Sequence, residues 1–140
     1  MRTTSDRIRQ AISFEIIGLV LVVPLAVFTF DLTVVDSAGL SLVGSLMATA
    51  WNYLFNLAFD HGLMHWRGTT EKTWPLRVVH AISFELGLAL AFLPVVMVWL
   101  GIGVVESLVM DVAFMLFYIV YAFVFTWGYD TMFPDVQGSR

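Results

Sequence analysis

Two glutamates stand where a carboxylate is costly. Glu15 closes the run Arg7-Ile-Arg-Gln-Ala-Ile-Ser-Phe-Glu, and Glu85 closes Arg77-Val-Val-His-Ala-Ile-Ser-Phe-Glu, each just ahead of a long apolar stretch. A carboxylate inside a membrane costs roughly 2.5–3.5 kcal/mol on insertion scales. Such a group is neutralised by a proton or paired with a cation, and one that can hold either provides the minimum chemistry for exchanging the two. The alternative is a glutamate that only bonds helices together. Intramembrane ionisable groups usually mark a pathway, which favours the functional reading for Glu15 and, less strongly, for Glu85.

Other polar residues fall into register with these two. Asn52, Asn56 and Asp60 are spaced i, i+4 and i+8, which puts them on one helix face beside an aromatic stripe of Trp51, Phe55 and Phe59. The matching residues later in the chain are Ala122, Thr126 and Asp130 beside Tyr121, Phe125 and Tyr129. Counting eight residues inward from Arg7 and from Asp60 reaches Glu15 and Asn52, both about 12 Å from one surface. Glu15, Trp51 and Asn52 are therefore expected at one level, in a shared pocket. Aromatic faces attract organic cations, so Phe55, Asn56, Glu85 and Tyr121 join these three as the expected substrate-facing set. Amides that merely bond between helices are the plainer alternative.

Arg7 and Arg77 are expected to begin helices, and Asp60 and Asp130 to end them. Each charge then sits at the unfavourable end of a helix dipole, and arginine–aspartate pairing across each hairpin, as a lock or gate, would offset the misfit. Pro24 and Pro94 lie within apolar runs and can kink or hinge them. His61 and His65 are four apart and expected at a loop boundary, with His80 as a possible third nitrogen. No further ligand is evident, and histidines beside Trp66 and Trp74 suit a membrane interface, so no metal is expected. No phosphate loop or serine elbow is present; neither an enzyme nor a cofactor is expected.

The elements that must position these residues follow from composition. The chain has 140 residues, 59% of them hydrophobic and 13% charged, whereas a soluble domain carries about 25% charged residues. Four stretches, at about 10–30, 40–60, 80–100 and 108–129, reach the roughly 20 apolar residues needed to cross a bilayer. They predict an all-α membrane protein of four transmembrane helices that occupy nearly the whole chain. The basic residues are Arg2, Arg7 and Arg9 before the first span, Arg67, Lys72 and Arg77 between the second and third, and Arg140 at the end. The other two connections are expected to carry only acids: Asp31 and Asp36, then Glu106 and Asp111. Basic segments remain in the cytoplasm, so both termini and the middle connection are expected there, in a bacterial inner membrane. Glu15 and the want of a small-x-small site argue for a retained first helix over a cleaved leader. With no cysteine there is no disulfide or thiolate site, and the net charge of −4 argues against nucleic acid.

The chain also repeats itself. At an offset of 70, Arg7 to Glu15 falls on Arg77 to Glu85, Pro24 on Pro94, Asp36 on Glu106, Ser37 on Ser107, Phe55 on Phe125 and Asp60 on Asp130. This register indicates duplication of a helix pair, with residues 1–66 as the first pair and 67–140 as the second. Both copies should point the same way, related by an axis along the membrane normal.

Four segments together carry a resemblance. Arg-x-x-x-Ala-x-x-Phe-Glu at 7–15, Trp-Asn-x-x-Phe-Asn-x-x-Phe-Asp at 51–60, Arg-x-x-His-Ala-x-x-Phe-Glu at 77–85 and Tyr-x-x-x-Phe-x-x-x-Tyr-Asp at 121–130 resemble the motifs of the proteobacterial antimicrobial compound efflux (PACE) transporters, also called the bacterial transmembrane pair domain. The resemblance implies export of cationic biocides such as chlorhexidine and acridine dyes, or of short diamines, in exchange for protons, with Glu15 as the proton-linked residue. Gln10 stands where the first motif often has histidine, and Ala122 and Thr126 replace amides of the last motif, a departure that bears on substrate range. Expected partners are thus a cationic small molecule, protons, the bilayer and a second copy in a homodimer. A small multidrug-resistance-like dimer and a non-transporting scaffold are the competing readings; retention of both glutamates in an internal repeat opposes the first.

Overall fold

The computed structural model describes residues 3–134; Arg2 and Arg140, which enter the charge pattern, lie outside the described residues. Four helices follow one another: α1 (Thr4–Phe30), α2 (Val34–Arg67), α3 (Trp74–Leu100) and α4 (Val104–Met132). All four are long and apolar enough to cross a membrane. The protein is an all-α membrane protein, with no strand among the described residues.

Helix ends show why the chain breaks where it does. Thr3 caps α1, its hydroxyl accepting from the Asp6 backbone N–H at 3.2 Å, and Thr73 holds the same place before α3, which carries Pro75 in its first turn. Proline suits that place, where a backbone N–H lacks a helical partner anyway. Asp31 ends α1 in the left-handed conformation at φ 55°, and Gly101 ends α3 at φ 64°. Aspartate and glycine are among the few residues that tolerate this geometry. Thr3 and Thr73, Asp31 and Gly101, and the starts of α2 and α4 all differ by 70. The duplication therefore extends to where the helices start and to where α1 and α3 stop.

Three sequence expectations are corrected here. The connections after α1 and α3 contain only residues 31–33 and 101–103, so Asp31 alone of the four acids lies in one. Asp36 and Glu106 occupy the first turns of α2 and α4, where acids favour the helix dipole. Asp111 lies within α4 and is buried. Asp60 does not end its helix either, because α2 runs seven residues further to Arg67. Leu63 is buried in that extension, and His65 and Arg67 in the last turn suit the dipole. His61 and His65 are accordingly helical, not at a loop boundary.

Packing divides into two compact units. One comprises Met1–Ser41 with Val112–Arg140, and sets α1 against most of α4; the other, Leu42–Asp111, sets α2 against α3. Each unit draws on both halves of the sequence. Burial repeats at the same offset: Val22 and Phe92, Ala26 and Val96, Ser37 and Ser107, Leu40 and Met110, Ser41 and Asp111 are all buried. Pro24 and Pro94 lie on exposed faces inside α1 and α3. Outward residues such as Phe28, Leu46, Leu90 and Val98 are large and apolar, a surface matched to hydrocarbon.

Candidate functional site

In the first unit, Glu15 is half-buried on α1. Its carboxylate acts electrostatically on two phenols of α4, Tyr118 and Tyr121. Tyr121 is buried, and its hydroxyl donates to the carbonyl of Phe14, the residue before Glu15, at 2.7 Å. Its ring packs 4.7 Å from that of Phe14, is stacked on Phe117 and reaches Phe125 at 5.7 Å. Gly18 leaves the room this ring occupies, since a Cβ there would lie 3.2 Å from Tyr121 Cε1. Toward the start of α1, Arg9 Nε donates to the Tyr129 hydroxyl at 2.9 Å, and that hydroxyl donates to Asp6 Oδ1 at 2.9 Å. Arg9 also pairs with Asp6 and lies over the Phe133 ring at 4.1 Å.

The second unit repeats the central contact. Trp51 Nε1 donates to the carbonyl of Phe84, the residue before Glu85, at 3.0 Å. Trp51 and Phe84 are the counterparts of Tyr121 and Phe14 at the offset of 70, so each glutamate follows a carbonyl held by an aromatic N–H or O–H. Phe55 lies at the centre of an aromatic cluster, 5.6 Å from Trp51, 5.7 Å from Phe59, 5.4 Å from Phe84 and 5.2 Å from His80. His80 Nε2–H donates to Asn56 Oδ1 at 2.8 Å, and the Asn56 amide donates to the Asn52 carbonyl and side-chain oxygen, each at 2.7 Å. Imidazole and two amides thus form one chain of hydrogen bonds along α2 and α3.

These contacts answer several expectations. The aromatic residue brought to Glu15 is Tyr121, whereas Trp51 is brought to the neighbour of Glu85. Within the first unit α1 packs with α4, and within the second α2 packs with α3. Asp60 is paired with Lys72 at 2.5 Å, in place of the arginine expected, and Arg77 Nε donates to the Lys72 carbonyl at 3.2 Å. Asp130 lies near the end of α4 on an exposed face. Arg7 is likewise exposed on α1; among the described residues, Arg9 is engaged with Tyr129 of α4. In the sequence Arg9, Tyr129 and Lys72 stand out only as charges or as one member of a stripe, and His80 only as a candidate metal ligand. Its alignment with Gln10 and its place in the third motif were the available signal. Among the described residues no three His, Asp or Glu side chains gather as a metal ion needs, and His61 Nδ1–H donates to the Leu57 carbonyl.

The Lys72–Asp60 pair is partly exposed, with side-chain accessibilities of 22% and 40%. Water screens such pairs, and they contribute about 0.2–1 kcal/mol. Lys72→Met is therefore expected to shift thermal unfolding of the purified protein by only a few degrees; a large loss of stability would show that Lys72 holds more than Asp60.

A family model described as chlorhexidine efflux transporter matches residues 2–65 and again residues 72–135. Three relatives carry the name short-chain diamines transporter. That of Vibrio parahaemolyticus is 34% identical over 137 residues, covering 94% of this chain and 93% of its own. That of Acinetobacter baumannii is 31% identical, covering 99% and 98%, and that of Acinetobacter baylyi 31%, covering 94% and 92%. No solved structure gives a significant match. A model matched twice in tandem, over helices that repeat at the same offset, means that the chain belongs to the chlorhexidine efflux transporter family, the PACE transporters, which are membrane transporters and not enzymes.

Proposed function

We propose that this PACE transporter is a proton-coupled antiporter that exports organic cations, with short diamines and amphipathic biocides such as chlorhexidine as substrates. The observation that carries this reading is Glu15: a half-buried carboxylate within a membrane helix, in electrostatic reach of the phenols Tyr118 and Tyr121. When deprotonated it captures a cation from the cytoplasm. Protonation from the more acidic outer side releases that cation, and the electrical potential, at about 2.3 kcal/mol per elementary charge per 100 mV, adds to the drive. The aromatic residues Tyr121, Trp51 and Phe55 offer π faces to the cation, while Asn52, Asn56 and Glu85 provide the polar lining. In this reading Arg7, Asp60, Arg77 and Asp130 belong to a gate at the basic end, and Pro24 and Pro94 are hinges.

The same reading places the protein in the inner membrane with its basic termini in the cytoplasm. Its two duplicated helix pairs, residues 1–66 and 67–140, point the same way, and two copies of the chain assemble as a homodimer to enclose the path. The test is direct. Liposomes holding the purified protein and an acidic lumen should lose their proton gradient when cadaverine or chlorhexidine is added outside, and protein-free liposomes should not. Equal proton leakage from both preparations would remove the antiport reading.

A further inference from the structure

Asp111 is a buried carboxylate to which the transport cycle above gives no role. It lies two turns into α4 and is 6% exposed. Its Oδ2 is buried with no hydrogen-bond partner, and so is Oγ of Ser107, which is itself fully buried one turn earlier. Spacing of i, i+4 puts the two on one helix face. Buried polar atoms are almost always bonded, so two orphan oxygens on one face call for a donor.

The first repeat shows how unnecessary this arrangement is for folding. The counterparts of Ser107 and Asp111 are Ser37 and Ser41, which are buried as well. Both are bonded to the backbone four residues earlier: Ser37 Oγ donates to the Thr33 carbonyl at 2.8 Å, and Ser41 Oγ to the Ser37 carbonyl at 2.7 Å. Serine fills that place at no polar cost. The second repeat instead holds a carboxylate, which when ionised can only accept. Its location is also distinct from the level of Glu15, because ten residues, about 15 Å of helix, separate Asp111 from Tyr121.

What is missing is a positively charged donor that can meet two oxygens at once. A primary ammonium has three N–H groups and fits both acceptors; a quaternary ammonium has none and fits neither. We propose that Asp111 and Ser107 form a second substrate subsite, toward the α3–α4 turn, that takes a primary ammonium group. The proposal rests on the cation-export reading and assigns the subsite to the far side of Glu15 from the termini, where a departing diamine makes its last charged contact.

The experiment compares cadaverine with its permethylated bis-quaternary analogue in liposome transport and in ligand-induced thermal stabilisation. Asp111→Ser rebuilds the arrangement that the first repeat already folds with. Loss of a charge-assisted hydrogen bond should lower selectivity for cadaverine over the quaternary analogue about tenfold or more, and Ser107→Ala should shift it the same way by less. Equal loss for both cations in Asp111→Ser would make Asp111 structural and overturn the subsite. Wild-type selectivity in both variants, with cadaverine still transported, would overturn the subsite alone. Failure of the wild type to bind or move cadaverine would overturn the export reading and this subsite with it.

Discussion

Glu15→Gln is expected to reduce substrate-driven proton flux to that of protein-free liposomes while the protein inserts and unfolds thermally much as the wild type does. Glutamine keeps the shape and much of the hydrogen bonding of the glutamate. It cannot carry a proton across the working pH range, nor can it offer a cation a counter-charge. Coupling needs both, so the loss should be of coupling and not of assembly. The Tyr121 hydroxyl donates to the Phe14 carbonyl on this turn of α1, a bond that the substitution leaves in place. Flux that survived in Glu15→Gln would move the proton to another group.

Glu85→Gln provides the contrast. Glu15 acts on Tyr118 and Tyr121, but at the matched offset Glu85 has Ala48 and Trp51 in place of two phenols. Phenols hydrogen-bond and polarise around a charge, whereas alanine does neither. Glu85→Gln should therefore leave measurable proton flux and alter mainly the concentration of cation needed. Both variants can be read in the same liposome preparation. Equal and complete loss in the two would show that the repeats share the proton.

The difference between these glutamates marks how far the sequence is legible. Four apolar stretches, a charge pattern and a duplication can be read by eye, because hydrophobic length and a register of 70 survive without three-dimensional information. The placement of Glu15 in the first span and of its partner in the third needs nothing more. What cannot be read is which helix a residue meets. Trp51 and Asn52 are level with Glu15 by counting, yet the bond from Trp51 goes to Phe84, since lateral pairing of helices depends on packing that depth leaves open. Nor can the end of α2 be read from hydropathy. His61 to Arg67 is polar on average, and the burial of Leu63 that accompanies the continued helix is seen only in the structure. Asp111 was misplaced for the converse reason: an acid near an apolar boundary reads as a loop until its neighbours are seen to bury it.

The other large effect concerns a glycine whose role is invisible in the sequence. Gly87→Ala is expected to destabilise the protein by about 1–3 kcal/mol, the range found for overpacked sites. A Cβ on Gly87 would collide with the six-membered ring of Trp51. That ring cannot simply swing aside, since its N–H is bonded to the Phe84 carbonyl and its face is turned to Phe55. The gain of up to about 1 kcal/mol from placing alanine in a helix does not offset loss of that bond and displacement of the ring. The first unit makes the cause testable. Tyr121 is smaller than Trp51 and presses on Gly18 instead, at a gentler 3.2 Å, and the counterpart of Gly87 there is Ile17. A tyrosine at the aromatic position thus coexists with a branched side chain where the tryptophan demands glycine. Gly18→Ala should accordingly be near neutral, with a slight shift of Tyr121 balanced by helix propensity. Combining Gly87→Ala with Trp51→Tyr should cost little more than Trp51→Tyr alone, a coupling that a double-mutant cycle of thermal or denaturant unfolding measures. If Gly87→Ala costs as much beside tyrosine as beside tryptophan, collision with the ring is not its cause, and the glycine is serving the backbone of α3 itself.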